Sequence, residues 1–501
     1  MRIRTRSFII MLSQGLIQAA TIVLGIILVR MVSKQTLGTY RQVNLVYLFL
    51  AGIVSLQLND SLYYFVPKLG ARLRRTLLVQ TFTVTFGTAL VTGGVMFFGA
   101  GAIAQMLNNP ELVVLIRIFA LYPFVERLVI LIPAFMISVD RSVRAGAYAL
   151  AAAVGRIVAV VTTLALGFGL STVMWSVVVV GGVVALVGCT DMLRLCPASK
   201  WRMDRGLLIE QFHYSWPLLA TAIVGTINVQ LDKFLISGFF DPSTYAVYSC
   251  GAMQLPIITL VTTSVSAAMM PNLVILAESG RIVDALHTWQ EAARKCSFII
   301  FPCFAFFLTF GYDFIVLLYG QDYSMAALPF RIYLCRLPIR VAVYATLFRV
   351  TGQTRPIAIA AMIALVINIT VSTTLVIVGN KGIVSFIGPA VGTILSSCGS
   401  LSYLLWQITR ITGVPFSRII RWKELALILL VCVICGLVAF AVPLPQSSLM
   451  IKLAVRGVIY LVLTLTIMLK MRMFKEDERQ ILFLPWNSIN RYFRDLVKKG
   501  P

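Results

Sequence analysis

The chain has 501 residues, of which 59% are hydrophobic and only 12% are charged. A soluble protein carries about a quarter charged residues, so the composition excludes a water-soluble globular enzyme, a disordered chain and a secreted disulfide scaffold, and it indicates a polytopic membrane protein. The formal net charge of +24 would suggest nucleic-acid binding in a soluble chain, but basic loops also orient membrane proteins, and we expect no nucleic-acid partner.

Fourteen apolar runs follow one another along the chain, each long enough to cross a bilayer as a helix. These runs, called spans 1 to 14, are 8–32, 43–66, 77–105, 112–138, 145–168, 172–193, 212–238, 245–276, 296–319, 325–348, 356–378, 383–408, 424–442 and 451–470. Arg2, Arg4 and Arg6 precede the first run, as basic residues do in a signal peptide. Because that run is longer than the roughly 7 to 15 apolar residues typical of a signal peptide, it is predicted to be an uncleaved first helix.

Basic residues alternate between the two sides of the predicted bundle. The N-terminus, the even-numbered loops and the C-terminal tail from Lys470 hold 30 Lys and Arg. The odd-numbered loops, with the last one counted through Lys452, hold 4, namely Lys34, Arg41, Lys381 and Lys452. The positive-inside rule therefore predicts that both termini are cytoplasmic. In the tail, apolar residues from Ile489 to Val497 recur at helical spacing, which fits an amphipathic helix on the inner membrane surface; a disordered basic tail is the alternative.

The two halves of the chain resemble each other. Segment 117–119 (Arg-Ile-Phe) matches segment 331–333 (Arg-Ile-Tyr), and segment 28–40 matches segment 236–248. An even number of helices in each half keeps the repeats parallel. The predicted segments are an N-terminal six-helix lobe (1–195), a cytoplasmic linker (196–211), a C-terminal six-helix lobe (212–410), helices 13 and 14 (411–472) and a cytoplasmic amphipathic tail (473–501).

Three short segments resemble one family of membrane transporters. They are Leu37–Tyr40 after span 1, Phe212–Leu218 at the start of span 7 and Asp232–Ile236 at its end. Together with the 6+6+2 pattern of spans, they resemble the Wzx-type O-antigen and exopolysaccharide flippases of the multidrug/oligosaccharidyl-lipid/polysaccharide (MOP) exporter superfamily. The resemblance implies an all-α, MATE-like fold of two parallel six-helix lobes plus two C-terminal helices.

The resemblance also implies a function without catalysis. The protein would move a polyprenyl-pyrophosphate-linked oligosaccharide from the cytoplasmic to the outer leaflet of the bacterial cytoplasmic (inner) membrane by alternating access, for surface polysaccharide biosynthesis. Its partners would be membrane lipids, a polysaccharide polymerase and assembly proteins.

Two other functions are alternatives. A drug/cation antiporter of the same superfamily usually has twelve spans and an acidic residue in helix 1, but span 1 has no acid. A polysaccharide polymerase or ligase needs a large outer loop, and the predicted outer loops are short. We expect no metal centre, because the two histidines, His213 and His287, lie near predicted loops.

Arginines inside the spans are candidates for binding pyrophosphate. Ionisable groups at the bilayer centre cost at least about 2.5 to 3.5 kcal/mol, so they should face a partner or a wet cavity, and guanidinium groups suit phosphate oxygens. The candidates are Arg30, Arg127, Arg156, Arg336 and Arg340. Arg336 and Arg340 are expected on one face of span 10. The alternatives are ion pairs with Glu126 or Asp313 and, for Arg30, extension to the membrane surface.

Amide side chains are candidates for binding the glycan. In the family that the chain resembles, helices 1, 2, 7 and 8 line the central cavity, and amides both donate and accept hydrogen bonds. The candidates are Asn44, Asn59, Asn228, Gln230 and Gln254. Interhelical hydrogen bonding is the alternative role.

Asp232 is the main candidate for ion coupling. In the related lipid II flippases, an acidic residue on helix 7 and polar groups on helix 11 bind sodium. The resemblance therefore implies a Na⁺ or H⁺ site of Asp232 and Asn368, with Asp60 as a further candidate, and we expect no other cofactor. Lipid II flippases also use arginines in helix 1, but span 1 has none before Arg30, which argues against lipid II as the substrate.

Overall fold

Helices are the regular elements of the computed structural model, which describes residues 3–196, 203–253, 255–444, 448–471, 473 and 474. The first eight are α1 (Ile3–Met31), α2 (Lys34–Val54), α3 (Leu58–Lys68), α4 (Ala71–Met106), α5 (Leu112–Phe119), α6 (Tyr122–Ser138), α7 (Ser142–Ala165) and α8 (Leu170–Arg194). The next eight are α9 (Arg205–Phe239), α10 (Pro242–Gly251), α11 (Pro256–Glu278), α12 (Ile282–Tyr319), α13 (Ala327–Leu334), α14 (Arg336–Ile339), α15 (Ala345–Val350) and α16 (Arg355–Val378). The last four are α17 (Ile383–Thr412), α18 (Phe416–Ile419), α19 (Trp422–Ala441) and α20 (Leu449–Lys470). The predicted tail helix around 489–497 lies outside the described residues.

Eleven helices in the described part of the chain are long and apolar enough to cross a membrane, or twelve if α2 and α3, which meet at a bend of 49°, form one span. This confirms the predicted all-α, multi-pass architecture. The predicted count of fourteen is not confirmed, because spans 4 and 10 are divided into shorter helices. Span 4 consists of α5 and α6, and span 10 consists of a 3-10 helix (Gln321–Ala326), α13, α14 and α15.

The break between α5 and α6 has no counterpart in the hydropathy of the sequence. Residues 120 and 121 are Ala and Leu, as apolar as the helices on either side. The amide of Ala120 still donates to the carbonyl of Ile116 at 2.8 Å, so the chain bends with its backbone hydrogen bonded, as an apolar environment requires. An apolar run therefore locates a span without showing where it breaks.

The start of α2 differs from the predicted start of span 2. The hydropathy pattern predicts a loop at Lys34 and Arg41 and a span that begins at residue 43, but α2 begins at Lys34. The Ser33 side chain accepts a hydrogen bond from the Thr36 amide at 3.2 Å and caps the helix. The prediction for Arg41 is therefore wrong, since the first turns of α2 are too polar for a hydropathy criterion to detect.

The helix bounds support an internal duplication. The starts of α2 and α10 are separated along the chain by the same interval as the matched segments 28–40 and 236–248, and so are their N-caps, Ser33 and Asp241. α7 and α16 are both 24 residues long. α5 and α13 are both 8 residues long, and each ends at a break within a predicted span. The five predicted domain segments themselves stay a prediction.

The described residues form two compact units. The first comprises 1–259, 318–336 and 352–407, and it contains helices from both repeats. Part of its interior is a cluster in which side chains of α3, α4, α6 and α8 pack together, among them Leu62, Leu77, Phe135 and Met192, each fully buried. Many large apolar side chains of the same helices are exposed, such as Phe98 of α4 at 86%, as a helix that faces lipid requires.

The second unit comprises the described residues of 260–317, 337–351 and 408–474. Within it, the Tyr460 hydroxyl of α20 donates to the Pro302 carbonyl of α12 at 2.9 Å. Arg456 and Asp313 form an ion pair at 3.7 Å. Asp313, which the sequence suggests as a partner for a site arginine, thus pairs with Arg456.

Candidate functional site

The first unit contains a cavity of about 510 Å³ between helices of both repeats. Six helices line it, namely α1, α2, α6 and α7 of the first repeat and α9 and α10 of the second. The lining residues are Ile17, Ala20, Thr21, Leu24, Gly25, Leu28, Tyr40, Arg41, Asn44, Leu45, Tyr47, Leu48, Glu126, Ala153, Arg156, Ile157, Gln230, Lys233, Tyr245 and Ser249. This volume lies in the range of small-molecule sites, about 300–1,000 Å³.

Basic groups outnumber acidic groups in the cavity wall. Arg41, Arg156 and Lys233 are present with one carboxylate among the described lining residues, that of Glu126. In a medium of low dielectric constant such an excess is costly unless an anion or water balances it. The wall is therefore suited to a ligand with about two negative charges.

Arg156 is held at the wall by a chain of hydrogen bonds. Its Nη2 donates to Oδ1 of Asn44, and Nδ2 of Asn44 donates to the carbonyl of Tyr40 at 2.8 Å. The second bond turns the amide so that its oxygen faces the arginine. The guanidinium group also lies 5.8 Å from the ring centre of Tyr122, and its Nε has no hydrogen-bond partner among the described residues. Asn44, predicted to bind glycan, thus positions the arginine.

Arg41 connects the two repeats beside the cavity. Its Nη1 donates to the hydroxyl of Ser249 at 2.6 Å and to the carbonyl of Ala246 at 3.5 Å. Arg41 and Ser249 are 208 residues apart, which is also the interval between the matched segments 28–40 and 236–248, so they occupy equivalent positions in α2 and α10. Lys233, the third basic residue of the cavity wall, donates through Nζ to Oε1 of Gln230 at 3.2 Å.

Glu126 is fixed in the wall by a tyrosine. The hydroxyl of Tyr47 donates to its carboxylate. The ring of Tyr47 packs edge-on against Phe119 at 5.7 Å and Tyr122 at 5.0 Å between ring centres. The carboxylate therefore has a defined place in the cavity wall.

The candidate coupling residues have partners of their own. Asp232 is 4% exposed, and its Oδ2 accepts hydrogen bonds from the hydroxyls of Tyr333 and, at 3.5 Å, Tyr248. Its Oδ1 has no hydrogen-bond partner within the described part of the chain. Asn368 donates to Oδ1 of Asn228 at 2.7 Å. Asn228, predicted to bind glycan, thus makes the interhelical bond that was its alternative role.

Ser372 completes this group of amides. Its hydroxyl donates to Oδ1 of Asn368 at 2.8 Å. Among the residues that the structure describes, no group of three or more His, Cys, Asp or Glu side chains is placed to hold a metal ion.

Several predicted site residues lie outside this cavity. Arg127 is 6% exposed, donates to the Ala51 carbonyl at 2.6 Å and lines a separate cavity of about 290 Å³. Others that do not line the main cavity are Arg30, Asn59, Asp60, Arg336 and Arg340, and Gln254 lies outside the described residues.

The prediction that span 10 is one continuous helix is wrong, and the shared face of Arg336 and Arg340 stays a prediction. α14 covers only Arg336–Ile339, and Arg340 lies in the turn that follows it. The chain resumes a helix only at Ala345, with α15.

Neither Arg41 nor Lys233 is among the predicted site residues. Arg41 lies in a polar stretch that reads as a loop, and Lys233 lies near the end of a span, where a basic side chain can extend to the membrane surface. The repeat alignment contained a usable signal, because it pairs Arg41 with Ser249.

The structure is similar to solved structures of MOP superfamily transporters. The lipid II flippase MurJ in an inward closed conformation has a TM-score of 0.68 at 16% identity, covering 91% of this chain and 99% of that chain. A multidrug resistance MATE family transporter in an inward-facing conformation has 0.64 at 12% identity, covering 79% and 95%. A MOP superfamily transporter from Pyrococcus furiosus, for which reverse polarity of the binding pocket is described, has 0.54 at 14%, covering 82% and 96%.

At these identities the likeness shows the fold, which is that of MOP transporters and MATE-like as predicted. The model of one sequence family, described as polysaccharide biosynthesis protein, matches residues 27–328. No curated protein sequence matches the chain significantly.

Proposed function

This chain belongs to the polysaccharide biosynthesis protein family, and we propose that it is a flippase for a polyprenyl-pyrophosphate-linked oligosaccharide. It would move this lipid from the cytoplasmic to the outer leaflet of the bacterial cytoplasmic membrane, with both of its own termini in the cytoplasm. The observation that carries the proposal is the cavity between the two repeats, with three basic side chains against one carboxylate among its described lining residues.

The charge of the cavity matches a pyrophosphate diester. Such a group carries about two negative charges, which equals the excess of Arg41, Arg156 and Lys233 over Glu126. Guanidinium groups bind phosphate oxygens through short, charge-assisted hydrogen bonds. A cationic drug would meet net repulsion here, so the cavity disfavours the antiporter function despite the likeness to MATE transporters.

Neutral polar groups of the wall suit the first sugar. Gln230, Tyr245 and Ser249 face the same cavity as the basic residues, and amides and hydroxyls both donate to and accept from sugar hydroxyls. The described wall contributed by α1 is apolar apart from Thr21. α1 contributes no cation to this described lining. The proposed phosphate site therefore differs from that of lipid II flippases, which use arginines in helix 1. This difference supports a lipid-linked glycan other than lipid II as the substrate.

Asp232 is proposed as the coupling group. Its carboxylate is buried, and its Oδ1 has no hydrogen-bond partner among the described residues, which leaves an oxygen available to a cation. In this proposal, Na⁺ or H⁺ binds at Asp232 when the cavity changes from facing one side of the membrane to facing the other. Asn368 and Ser372 of α16 stabilise the packing of α16 against α9, the helix that carries Asp232. Replacement of Asp232 by Asn should remove any dependence of transport on an ion gradient while leaving its dependence on membrane potential.

Transport by purified protein in vesicles tests the function. The substrate is a polyprenyl pyrophosphate with a fluorescently labelled oligosaccharide, and an impermeant quencher reports how much of it is in the outer leaflet. The proposal predicts transfer between leaflets in vesicles that contain the protein and none in empty vesicles. Equal transfer of a labelled polyprenyl alcohol without phosphate would contradict the role of the basic cavity.

A further inference from the structure

The predicted cytoplasmic half of span 2, which is α3, has one polar and exposed side. Asp60, Tyr63, Tyr64 and Lys68 are separated by helical intervals that place them on the same side of α3. All four are exposed, whereas Leu62 on the opposite side is fully buried in the apolar cluster. These four residues are called the Tyr64 face.

Asp60 indicates that the Tyr64 face adjoins water and not lipid. It lies inside predicted span 2, and its carboxylate makes no hydrogen bond or ion pair with the residues that the structure describes. Ionisable side chains within a span are costly in lipid and therefore face the bundle interior or a water-filled space. We therefore expect a wet space beside α3 on the predicted cytoplasmic side.

Two tyrosines form an aromatic wall beside this space. Tyr64 stacks on Tyr214 of α9, with ring centres 4.9 Å apart and ring planes 20° from parallel. The buried ring of Phe65 packs edge-on against both rings, at 5.0 and 5.9 Å between centres, and so fixes their place. Tyr64 and Tyr214 are nevertheless 42% and 37% exposed, and neither hydroxyl bonds to a described residue. Both hydroxyls are therefore available to a ligand.

The chemistry of the Tyr64 face suits a neutral ligand rich in hydroxyl groups. Nζ of Lys68 lies 3.4 Å from the ring centre of Tyr64, so a cation already occupies that ring and offsets the charge of Asp60. A carboxylate accepts hydrogen bonds, and a tyrosine hydroxyl both donates and accepts, next to an apolar ring. These groups match the hydroxyls and the C–H surface of a sugar better than they match an ion of either sign.

The main cavity holds only part of an oligosaccharide. Its volume of about 510 Å³ is that of a site for one drug-sized group, so sugars beyond the first ones must lie outside it when the pyrophosphate is bound there. Along α9, Tyr214 is about 28 Å from the cavity residue Lys233 at 1.5 Å per residue. The Tyr64 face therefore lies where sugars distal to the pyrophosphate would be, on the side from which the lipid is proposed to enter.

We propose that the Tyr64 face, together with Tyr214, binds the distal sugars of the cargo and selects the glycan as it enters from the cytoplasm. The inference rests on the proposed function and adds a second subsite to it. The basic cavity binds the pyrophosphate, which all lipids of this class share, whereas the Tyr64 face distinguishes their sugars. Asp60, predicted as a candidate for ion coupling, is thereby assigned to the glycan.

Two lipid probes, titrated into the full chain in lipid nanodiscs, separate the subsites. One is a polyprenyl pyrophosphate without sugar, and the other is the glycan-bearing polyprenyl pyrophosphate extracted from the host. The glycan should strengthen binding to the wild type. Asp60→Asn and Tyr64→Leu should each weaken binding of the glycan-bearing probe by about tenfold, as expected for lost hydrogen bonds, and leave binding of the sugar-free probe unchanged. Arg156→Ala should weaken binding of both probes.

Two further variants control this experiment. Asp284→Asn removes the charge of an aspartate whose side chain is 47% exposed on α12, away from the Tyr64 face, and should change neither affinity. Tyr64→Phe keeps the ring and should lose only part of the gain from the glycan, which provides a test if Tyr64→Leu fails to fold.

Three results would overturn the assignment of the Tyr64 face. They are unchanged binding of the glycan-bearing probe by Asp60→Asn and Tyr64→Leu, equal losses for both probes, and binding of the lipophilic cation tetraphenylphosphonium that Asp60→Asn abolishes. The last result would make the face a cation site. If neither lipid probe binds the wild type, the proposed function itself fails, so the two failures are distinguishable.

Discussion

At the residue scale, Arg156 is the cation most directly tied to substrate binding. Arg156→Ala should weaken binding of a polyprenyl pyrophosphate by about ten- to a hundredfold, because a hydrogen bond to a charged group contributes about 1.5–3 kcal/mol. Arg156→Lys should recover part of the loss, since it keeps the charge but not the planar pair of donors. Titration of the purified protein with the lipid measures both affinities.

Arg127→Ala is the matched control for this experiment. Arg127 is also an arginine of the first repeat, but it donates to the Ala51 carbonyl and does not line the main cavity. The control variant should lose thermal stability and keep its affinity for the lipid. Equal losses of affinity in Arg127→Ala and Arg156→Ala would contradict the assignment of the site.

Removing the charge of Glu126 should raise the affinity for the lipid, the opposite of the effect expected for Arg156→Ala. Glu126→Gln keeps an acceptor for the Tyr47 hydroxyl but removes the negative charge that the described wall carries. The affinity for the pyrophosphate lipid should rise roughly tenfold, because a carboxylate that repels the negatively charged pyrophosphate is lost, at an effective dielectric constant of about 20. Glu126→Asp, which keeps the charge, should not show this gain. Unchanged or weaker binding by Glu126→Gln would exclude an electrostatic role.

Sequence reasoning reached part of this site. It singled out Arg156, Asn44 and Gln230, all of which line the cavity. It could not separate Arg156 from Arg127, because facing the cavity or facing away depends on the rotation of each helix against its neighbours. It also could not give Asn44 its observed bond to Arg156, since these residues are 112 positions apart.

At the element scale, the contact between α2 and α10 depends on a glycine. A Cβ atom added at Gly38 would overlap the carbonyl group of Pro242, so Gly38→Ala must push the two helices apart. We expect a loss of about 1–3 kcal/mol, the usual cost of overpacking, seen as a lower midpoint of thermal unfolding in detergent. Gly94→Ala in α4, where no described atom lies within 4 Å, should be neutral or stabilising.

The N-cap of α10 gives a prediction about pH. Burial alone would raise the pKa of Asp241, but the hydroxyl and amide of Thr244 and the amide of Ser243 donate to its carboxylate, and the net pKa is lowered. A lowered pKa in the folded state means that the stabilisation is complete above the unfolded pKa, about 3.9, and is lost as the pH falls through the folded pKa.

Thermal unfolding at a series of pH values below 5 measures this effect. Asp241→Asn retains an acceptor for the cap and should flatten the acid limb of the profile. Asp241→Ala should lower stability by about 1 kcal/mol at neutral pH. An unchanged acid limb in Asp241→Asn would show that the cap does not contribute to the pH dependence.

The helices themselves were largely predictable, whereas their breaks were not. α7, α16, α19 and α20 lie within a few residues of predicted spans, because a long apolar run has few alternatives to a membrane helix. The break after α5 falls in apolar sequence, where hydropathy has no information, whereas the break after α13 is at Cys335, beside Arg336. The repeat places both breaks just after the matched segments 117–119 and 331–333.

At the scale of the whole molecule, the charge of the proposed substrate predicts a response to voltage. Moving one charge through 100 mV is equivalent to about 2.3 kcal/mol, so a pyrophosphate diester would gain roughly twice that on leaving an inside-negative compartment. Vesicles with an imposed potassium diffusion potential should accumulate the lipid in the positive leaflet. If accumulation disappears when an ion gradient is removed at constant potential, the potential alone does not drive transport.

Whole-molecule organisation followed from composition, the repeat and the family resemblance more than from any motif. Composition excludes a soluble protein, and the paired segments around Tyr40 and Tyr248 indicate duplication from the sequence alone. The sequence could not show that α2 and α10, equivalent elements of the two repeats, pack against each other through Gly38, because that contact depends on three-dimensional assembly.

The central claim is that the protein exports a glycan carried on polyprenyl pyrophosphate, and the lipids of its own host test it most directly. The protein is depleted, the polyprenyl lipids are extracted, and their masses are recorded. The account predicts that a glycan-bearing polyprenyl pyrophosphate accumulates, and its mass identifies the substrate. An unchanged lipid pool in cells that become sensitive to cationic compounds would contradict the account and favour a drug/cation antiporter.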